Sequence, residues 1–200
     1  MTKREFFDDI FEMLKNVTAM SDNILEGFMK NKIEFINESL NNEARINELE
    51  KKLTKAILSY SKTVKDGKEK KELAGAEQIV ETLERVGDEL ASLAERVQIK
   101  IEEKLYFSDI GVSEYQGLYN SVRESIKMTF DLVKTNDKSL VEKIVSNGFK
   151  CKELVEEYRE EHTDRLIKGI CNPRAANIYF DMLDFAGNVA RHCSNIAKVI

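Results

Sequence analysis

The apolar residues of this chain recur every three or four positions through six long stretches, which is the spacing of an amphipathic helix. No stretch of strand length alternates apolar and polar residues. The chain has one Pro and nine Gly among 200 residues, so helix breakers are rare. The pattern predicts an all-α protein whose six helices cover about residues 3–29, 33–64, 69–106, 114–135, 139–167 and 173–200.

Polar residues between the stretches predict where the helices begin and end. Ser113 is the expected N-cap of the fourth helix. Gly169 is the expected stop of the fifth helix, and Asn172 caps a sixth helix that starts with Pro173. On the second helix, the inward positions are expected to extend to Tyr60.

The third and sixth helices share one apolar pattern, which predicts an internal repeat. The pattern runs from Ala76 to Ile101 in the third helix and recurs 103 residues later in the sixth. A difference of 100 would instead align Gly87 with Gly187, but it disturbs the match further along the helix. The chain is therefore predicted to form two tandem three-helix bundles, residues 1–108 and 109–200.

Charge and cysteine content narrow the function classes. The net charge is −5, which opposes nucleic-acid binding because that binding depends on Lys and Arg neutralising phosphates. Three cysteines without a CxxC motif fit a reducing compartment. The chain shows neither a signal peptide at its start nor an apolar stretch of membrane-spanning length. We expect a cytoplasmic protein that is at most peripheral to membrane proteins.

A row of carboxylates follows the apolar seam of the third helix. Glu84 and Asp88 are one turn apart, so their like charges repel each other unless something compensates. The row also includes Glu77, Glu81 and Glu95. Carboxylate oxygens in a row suit hard or borderline cations, although such a row is also typical of a solvated helix face.

The second helix offers two further oxygen ligands for the same candidate metal site. Glu43 and Asn47 are one turn apart, and they would complete the site if the second helix packs antiparallel to the third.

The two histidines do not form a recognisable catalytic or di-iron motif. A ferritin-like centre requires Glu-x-x-His pairs, but Arg159 precedes His162 by three positions and Val189 precedes His192. We expect His162 to be salt-bridged and His192 to be structural. No nucleophile–histidine set, Gly-rich nucleotide motif or general base is evident. The sequence therefore predicts a protein that is not an enzyme.

Two segments carry a resemblance to a known family. "LERVGDELASLAE" resembles the signature of PhoU-type phosphate-uptake regulators, and "REEHTDRLIKGICNPRAANIYFDML" with "RHCSNIAKVI" resembles the PhoU domains of bacterial sodium–phosphate cotransporters. The resemblance implies two three-helix repeats, homodimers and acidic motifs that bind iron, zinc or magnesium. It also implies an adaptor that connects phosphate transporters to the sensor kinase controlling phosphate-starvation genes. The implied partner is a phosphate transporter component or that sensor kinase.

Carried over residue by residue, the family motif falls on Glu84 and Asp88 in the first repeat. With a difference of 103, its second-repeat positions hold Gly187 and Arg191, so the two repeats are expected to differ in metal binding. The resulting hypothesis is a non-enzymatic regulator of phosphate uptake. Two alternatives stay open: a helical-bundle interaction or dimerisation module unrelated to phosphate, and a metal-dependent hydrolase that uses the acidic row.

Overall fold

A computed structural model describes residues 3–200, and the side chains of residues 5–200. Within the described residues the chain consists of six α-helices and no strand, as the apolar pattern predicts. The helices are α1 (Lys3–Lys30), α2 (Ile33–Ser61), α3 (Gly67–Glu102), α4 (Asp109–Thr135), α5 (Ser139–Ile167) and α6 (Pro173–Val199).

The predicted caps are confirmed around α6 and wrong at the start of α4. Asn172 accepts a hydrogen bond from the backbone N–H of Arg174, and Gly169 adopts φ +68°, a conformation that favours glycine. Helix α4 begins five residues earlier than expected. Its N-cap is Ser108, whose Oγ accepts a hydrogen bond from the N–H of Gly111 at 3.2 Å. Gly111 therefore lies inside the helix.

Helices α2 and α3 also differ slightly from the expected bounds. The side chain of Asp66 accepts hydrogen bonds from two backbone N–H groups and starts α3 two residues early. Tyr60, predicted to point inward, is 53% exposed because it lies in the last turn of α2, beyond the buried Ile57.

The six helices form two layers. Helices α1, α2 and α3 pack against one another, as do α4, α5 and α6. Helix α3 packs on α6 and α1 packs on α4, which gives one layer in the order α2–α3–α6–α5 and a second layer of α1 and α4. The connection between α3 and α4 contains the predicted boundary at residue 108. Buried side chains of all six helices nevertheless belong to one hydrophobic core, so the division into residues 1–108 and 109–200 stays a prediction.

Helices α3 and α6 form the centre of the molecule and run antiparallel. Arg96 contacts Asp181 at 2.7 Å, and Glu89 accepts a hydrogen bond from Asn188 at 3.3 Å, so residue numbers rise along one helix as they fall along the other. The predicted apolar seams are buried here: Leu83, Leu90 and Ala94 on α3 are no more than 1% exposed.

All three cysteines are free and buried, and all lie between residues 109 and 200. Burial raises the pKa of Cys151 to about 11 and that of Cys193 to about 12. None of the described helices has an apolar stretch of the length that a membrane crossing requires.

Candidate functional site

Glu84, in the middle of the acidic row of α3, lies near α2 at the surface of the first bundle. The backbone of Gly87 approaches Ile46 so closely that an added Cβ would lie 3.3 Å from Ile46 Cγ2. This contact sets α2 antiparallel to α3 and brings Glu50 near Glu84. Burial and the negative charges of Asp88 and Glu50 raise the pKa of Glu84. The repulsion inferred from the sequence is therefore present and involves a third carboxylate.

Sequence reasoning missed Glu50, although the spacing on α2 contains a signal for it. Glu43, Asn47 and Glu50 follow one another at intervals of four and three residues, so they share one helix face. Glu50 also accepts a hydrogen bond from Thr54 at 2.8 Å, which orients its carboxylate.

The other predicted ligands lie on the same side but are engaged differently. Glu43 accepts a hydrogen bond from Asn47 Nδ2 at 2.5 Å, so these two side chains bind each other. The Oδ1 atom of Asn47 is buried and has no hydrogen-bond partner. Glu81 is exposed to solvent on α3.

These residues provide oxygen ligands of the right chemistry, but they do not form a ready-made metal centre. Within the described part of the chain, no three His, Cys, Asp or Glu side chains converge closely enough to hold a metal ion. The carboxylates of Glu84, Asp88 and Glu50 and the free Oδ1 of Asn47 would have to move toward a common point. Metal binding by this row stays a prediction.

The second bundle shows which residues correspond to the acidic row. An added Cβ on Gly187 of α6 would lie 2.9 Å from Val155 Cγ2 of α5, just as Gly87 of α3 faces Ile46 of α2. Gly187 thus occupies the position of Gly87, so equivalent residues of α3 and α6 differ by 100 in number rather than by the expected 103. Three residues are nearly a full helical turn, so the apolar seam looks similar with either difference.

The structural counterparts of Glu84 and Asp88 are therefore Asp184 and Asn188, instead of the predicted Gly187 and Arg191. Asp184 binds Arg159 of α5 at 2.5 Å. Arg159 follows Val155 by four residues, as Glu50 follows Ile46, so it takes the place of Glu50. In the first bundle Glu84 therefore faces another acid, Glu50, whereas in the second bundle Asp184 is paired with a base, Arg159.

A polar cluster that the sequence did not predict joins α3 to α6. Glu89 accepts a hydrogen bond from Asn188 at 3.3 Å and lies 3.7 Å from His192 Nε2. Burial, together with the nearby charges of Arg191 and Arg85, lowers the pKa of His192 to about 4. His192 is therefore neutral at pH 7, and its contact with Glu89 is not an ion pair.

A second unpredicted cluster is buried where α4, α5 and α6 meet. Arg165 donates two hydrogen bonds to the two oxygens of Glu114, at 2.6 and 2.5 Å, and Tyr179 donates a third at 2.8 Å. His162, expected to be salt-bridged, instead stacks on Tyr179 with its ring centroid 4.3 Å away. Neither ring nitrogen of His162 has a hydrogen-bond partner, because the surrounding charges already bind each other. We regard this cluster as structural.

Comparison with known proteins tests the resemblance noted in the sequence. Residues 10–97 match the family model of the PhoU domain. PhoU from Pseudomonas aeruginosa has the same fold, with a TM-score of 0.90 at 16% identity over 98% of this chain and 93% of its own. The phosphate transport system regulatory protein PhoU from Streptococcus pneumoniae gives a TM-score of 0.85 at 12% identity, over 98% and 91% of the two chains. No curated protein sequence matches. The resemblance to the PhoU family is confirmed: residues 10–97 match its domain model, and the described chain has the PhoU fold.

Proposed function

We propose that this chain is a non-enzymatic regulator of phosphate uptake and of phosphate-responsive signalling in the cytoplasm. The observation that supports the proposal is the PhoU domain at residues 10–97 within a fold that matches solved PhoU proteins along nearly the whole chain. One of those proteins bears the name phosphate transport system regulatory protein, and the proposal extends that role to this chain.

In this role the protein acts by contact with other proteins. The proposed partner is a phosphate transporter component or the sensor kinase, which this chain contacts through its charged helix faces. The acidic row around Glu84 and Glu50 is one such face, because its repelling carboxylates are most stable when a cation or a basic partner compensates them. The proposal includes a homodimer as the functional unit.

The experiment that tests the proposal is deletion of the gene followed by measurement of phosphate uptake and phosphate-responsive expression. We expect both to change, and we expect the wild-type gene to restore them. A complementing Glu84→Gln/Asp88→Asn gene tests the acidic row, and Asp184→Asn is its matched control in the second bundle. Unchanged uptake and expression after deletion would contradict the proposal and favour an interaction module unrelated to phosphate.

Metal binding by the acidic row is a separate part of the proposal. A divalent or iron-type ion bound there would raise stability by about 2.7 kcal/mol at a hundredfold excess over its dissociation constant. We expect Fe, Zn or Mg to raise the melting temperature of the wild type and of Asp184→Asn, but not that of Glu84→Gln/Asp88→Asn. A wild-type melting temperature that responds neither to metal nor to chelator would refute metal binding while leaving the regulatory role untouched.

A further inference from the structure

A shallow groove of about 490 Å³ lies between α5 and α6 on the surface of the second bundle. Gly148 and Gly187 lie at the base of the groove, where they let the two helices approach each other closely. An added Cβ on Gly148 would lie 2.2 Å from Ser194 Oγ, and one on Gly187 would lie 2.9 Å from Val155. Phe149 stands at the side of this groove and is 64% exposed.

The groove is cationic, although the protein as a whole is acidic. Lys152, Arg191 and Lys198 line it, and its single acid, Asp184, is already bound by Arg159. Lys152 has only a 3.7 Å contact with Glu156, with both side chains largely exposed, which is too weak to neutralise it. An exposed aromatic ring near an Arg is typical of a binding surface, because both residue types are enriched there. The two lysines add positive charge, which favours an acidic partner.

We propose that this groove binds an acidic amphipathic helix of a partner protein. The apolar ridge of that helix packs against Phe149, and its carboxylates face the three cations. From Asp184 to Lys198 the groove follows fourteen residues of α6, or about 21 Å at 1.5 Å per residue, which fits a partner helix of about four turns.

A second copy of this chain does not meet these requirements. Its most acidic helix surface is that of α5, where all six acids between residues 153 and 164 are exposed, but no large apolar side chain of that stretch is exposed. This surface therefore offers carboxylates without the apolar ridge that Phe149 requires.

The test uses the whole chain and a labelled synthetic peptide of about sixteen residues, with Leu along one helix face and Glu on its flanks. Fluorescence anisotropy measures its affinity for the wild type and for two groove variants, Phe149→Ala and Lys152→Glu/Arg191→Glu. We expect each variant to bind at least about tenfold more weakly than the wild type, because each removes an anchor or reverses the charge. Higher salt should weaken wild-type binding.

Matched controls lie on α2, outside the groove. Leu58→Ala removes another exposed apolar side chain, and Arg45→Glu/Lys55→Glu reverses two other exposed cations; both should bind the peptide like the wild type. Thermal melts show that each variant is folded. The proposal is overturned if the peptide fails to bind the wild type, if a scrambled peptide of the same composition binds equally well, or if the control variants lose as much affinity. It is also overturned if groove variants turn a dimer into a monomer and the peptide competes with dimerisation, since a second copy would then be the occupant.

Discussion

Replacing Arg165 by Met tests whether the buried cluster of α4, α5 and α6 holds the second bundle together. Arg165 and Glu114 have side chains that are 9% and 8% exposed, and two hydrogen bonds of 2.6 and 2.5 Å join them. Burial raises the pKa of Glu114, but the hydrogen bonds from Arg165, Glu161 and Tyr179 outweigh this effect, so the pKa lies below its ordinary value. Glu114 is therefore ionised at pH 7 and depends on its partners.

The expected loss follows from the burial of the charge that remains. Arg165→Met leaves the Glu114 carboxylate with the hydrogen bond from Tyr179 at 2.8 Å and one from Glu161, and without any positive charge beside it. Removing one partner of a buried ion pair costs about 3–5 kcal/mol, because the other charge is left without compensation. We expect the free energy of unfolding at pH 7 to fall by an amount in this range.

Urea denaturation of four proteins measures the effect: the wild type, Arg165→Met, Glu114→Gln and the double variant. The double variant should recover most of the loss, because no unpaired charge remains buried. Acidic pH should also reduce the loss. Without Arg165, burial raises the pKa of Glu114, so the folded variant binds a proton before the unfolded chain does, and its deficit relative to the wild type shrinks as the pH falls from 7 toward the ordinary carboxyl pKa.

Two results would refute this reasoning. If Arg165→Met costs less than about 1 kcal/mol at pH 7, the ion pair contributes no more than an exposed pair does. If the double variant is as unstable as Arg165→Met, the loss comes from packing around the Arg side chain rather than from the unpaired carboxylate.

Three further predictions concern helix caps, helix packing and pH. Ser108→Ala should lower the free energy of unfolding by about 1 kcal/mol whereas Ser113→Ala should have almost no effect, as urea denaturation of both would show. Gly187→Ala should destabilise the protein by about 1 kcal/mol, because its Cβ would lie 2.9 Å from the stiff side chain of Val155. Gly67→Ala, whose Cβ meets nothing within 4 Å, should be neutral or stabilising. Equal melting temperatures of the two variants would contradict this. The folded-state pKa of His192, about 4, is below its unfolded value of about 6.5, so its contribution to stability is present above pH 6.5 and lost as the pH falls toward 4. His192→Gln should therefore flatten the stability–pH curve between these values. An unchanged slope would show that His192 is not responsible for it.

The helices were predictable because their signals are local. Apolar spacing alone identified the six helices, and Asn172, Pro173 and Gly169 marked the ends of two of them, since capping depends on residues a few positions apart. The start of α4 was wrong because Ser108 and Ser113 are equally good caps in sequence. The structure distinguishes them, because Ser108 Oγ accepts the hydrogen bond from the N–H of Gly111.

The candidate sites were harder to predict because they depend on the register between helices. The sequence identified Glu84 and Asp88, which share a helix, but it could not bring Glu50 to them from α2 or Arg159 to Asp184 from α5. The repeat difference of 103 and the observed 100 give nearly the same apolar seam. The two differences place different polar residues at the motif positions. Only the contacts of Gly87 and Gly187 show that 100 is the right difference.

The placement of the cysteines gives the protein a built-in reporter of its own motions. Cys151, Cys171 and Cys193 are buried thiols, and the high pKa values of Cys151 and Cys193 leave almost no thiolate at neutral pH. A thiol reagent can modify Cys151 and Cys193, which lie inside α5 and α6, only when the helices around them separate. Because residues 1–108 contain no cysteine, alkylation rates in the native protein measure opening of the second bundle alone. Comparing those rates with global unfolding would reveal whether the second bundle opens before the rest of the core does.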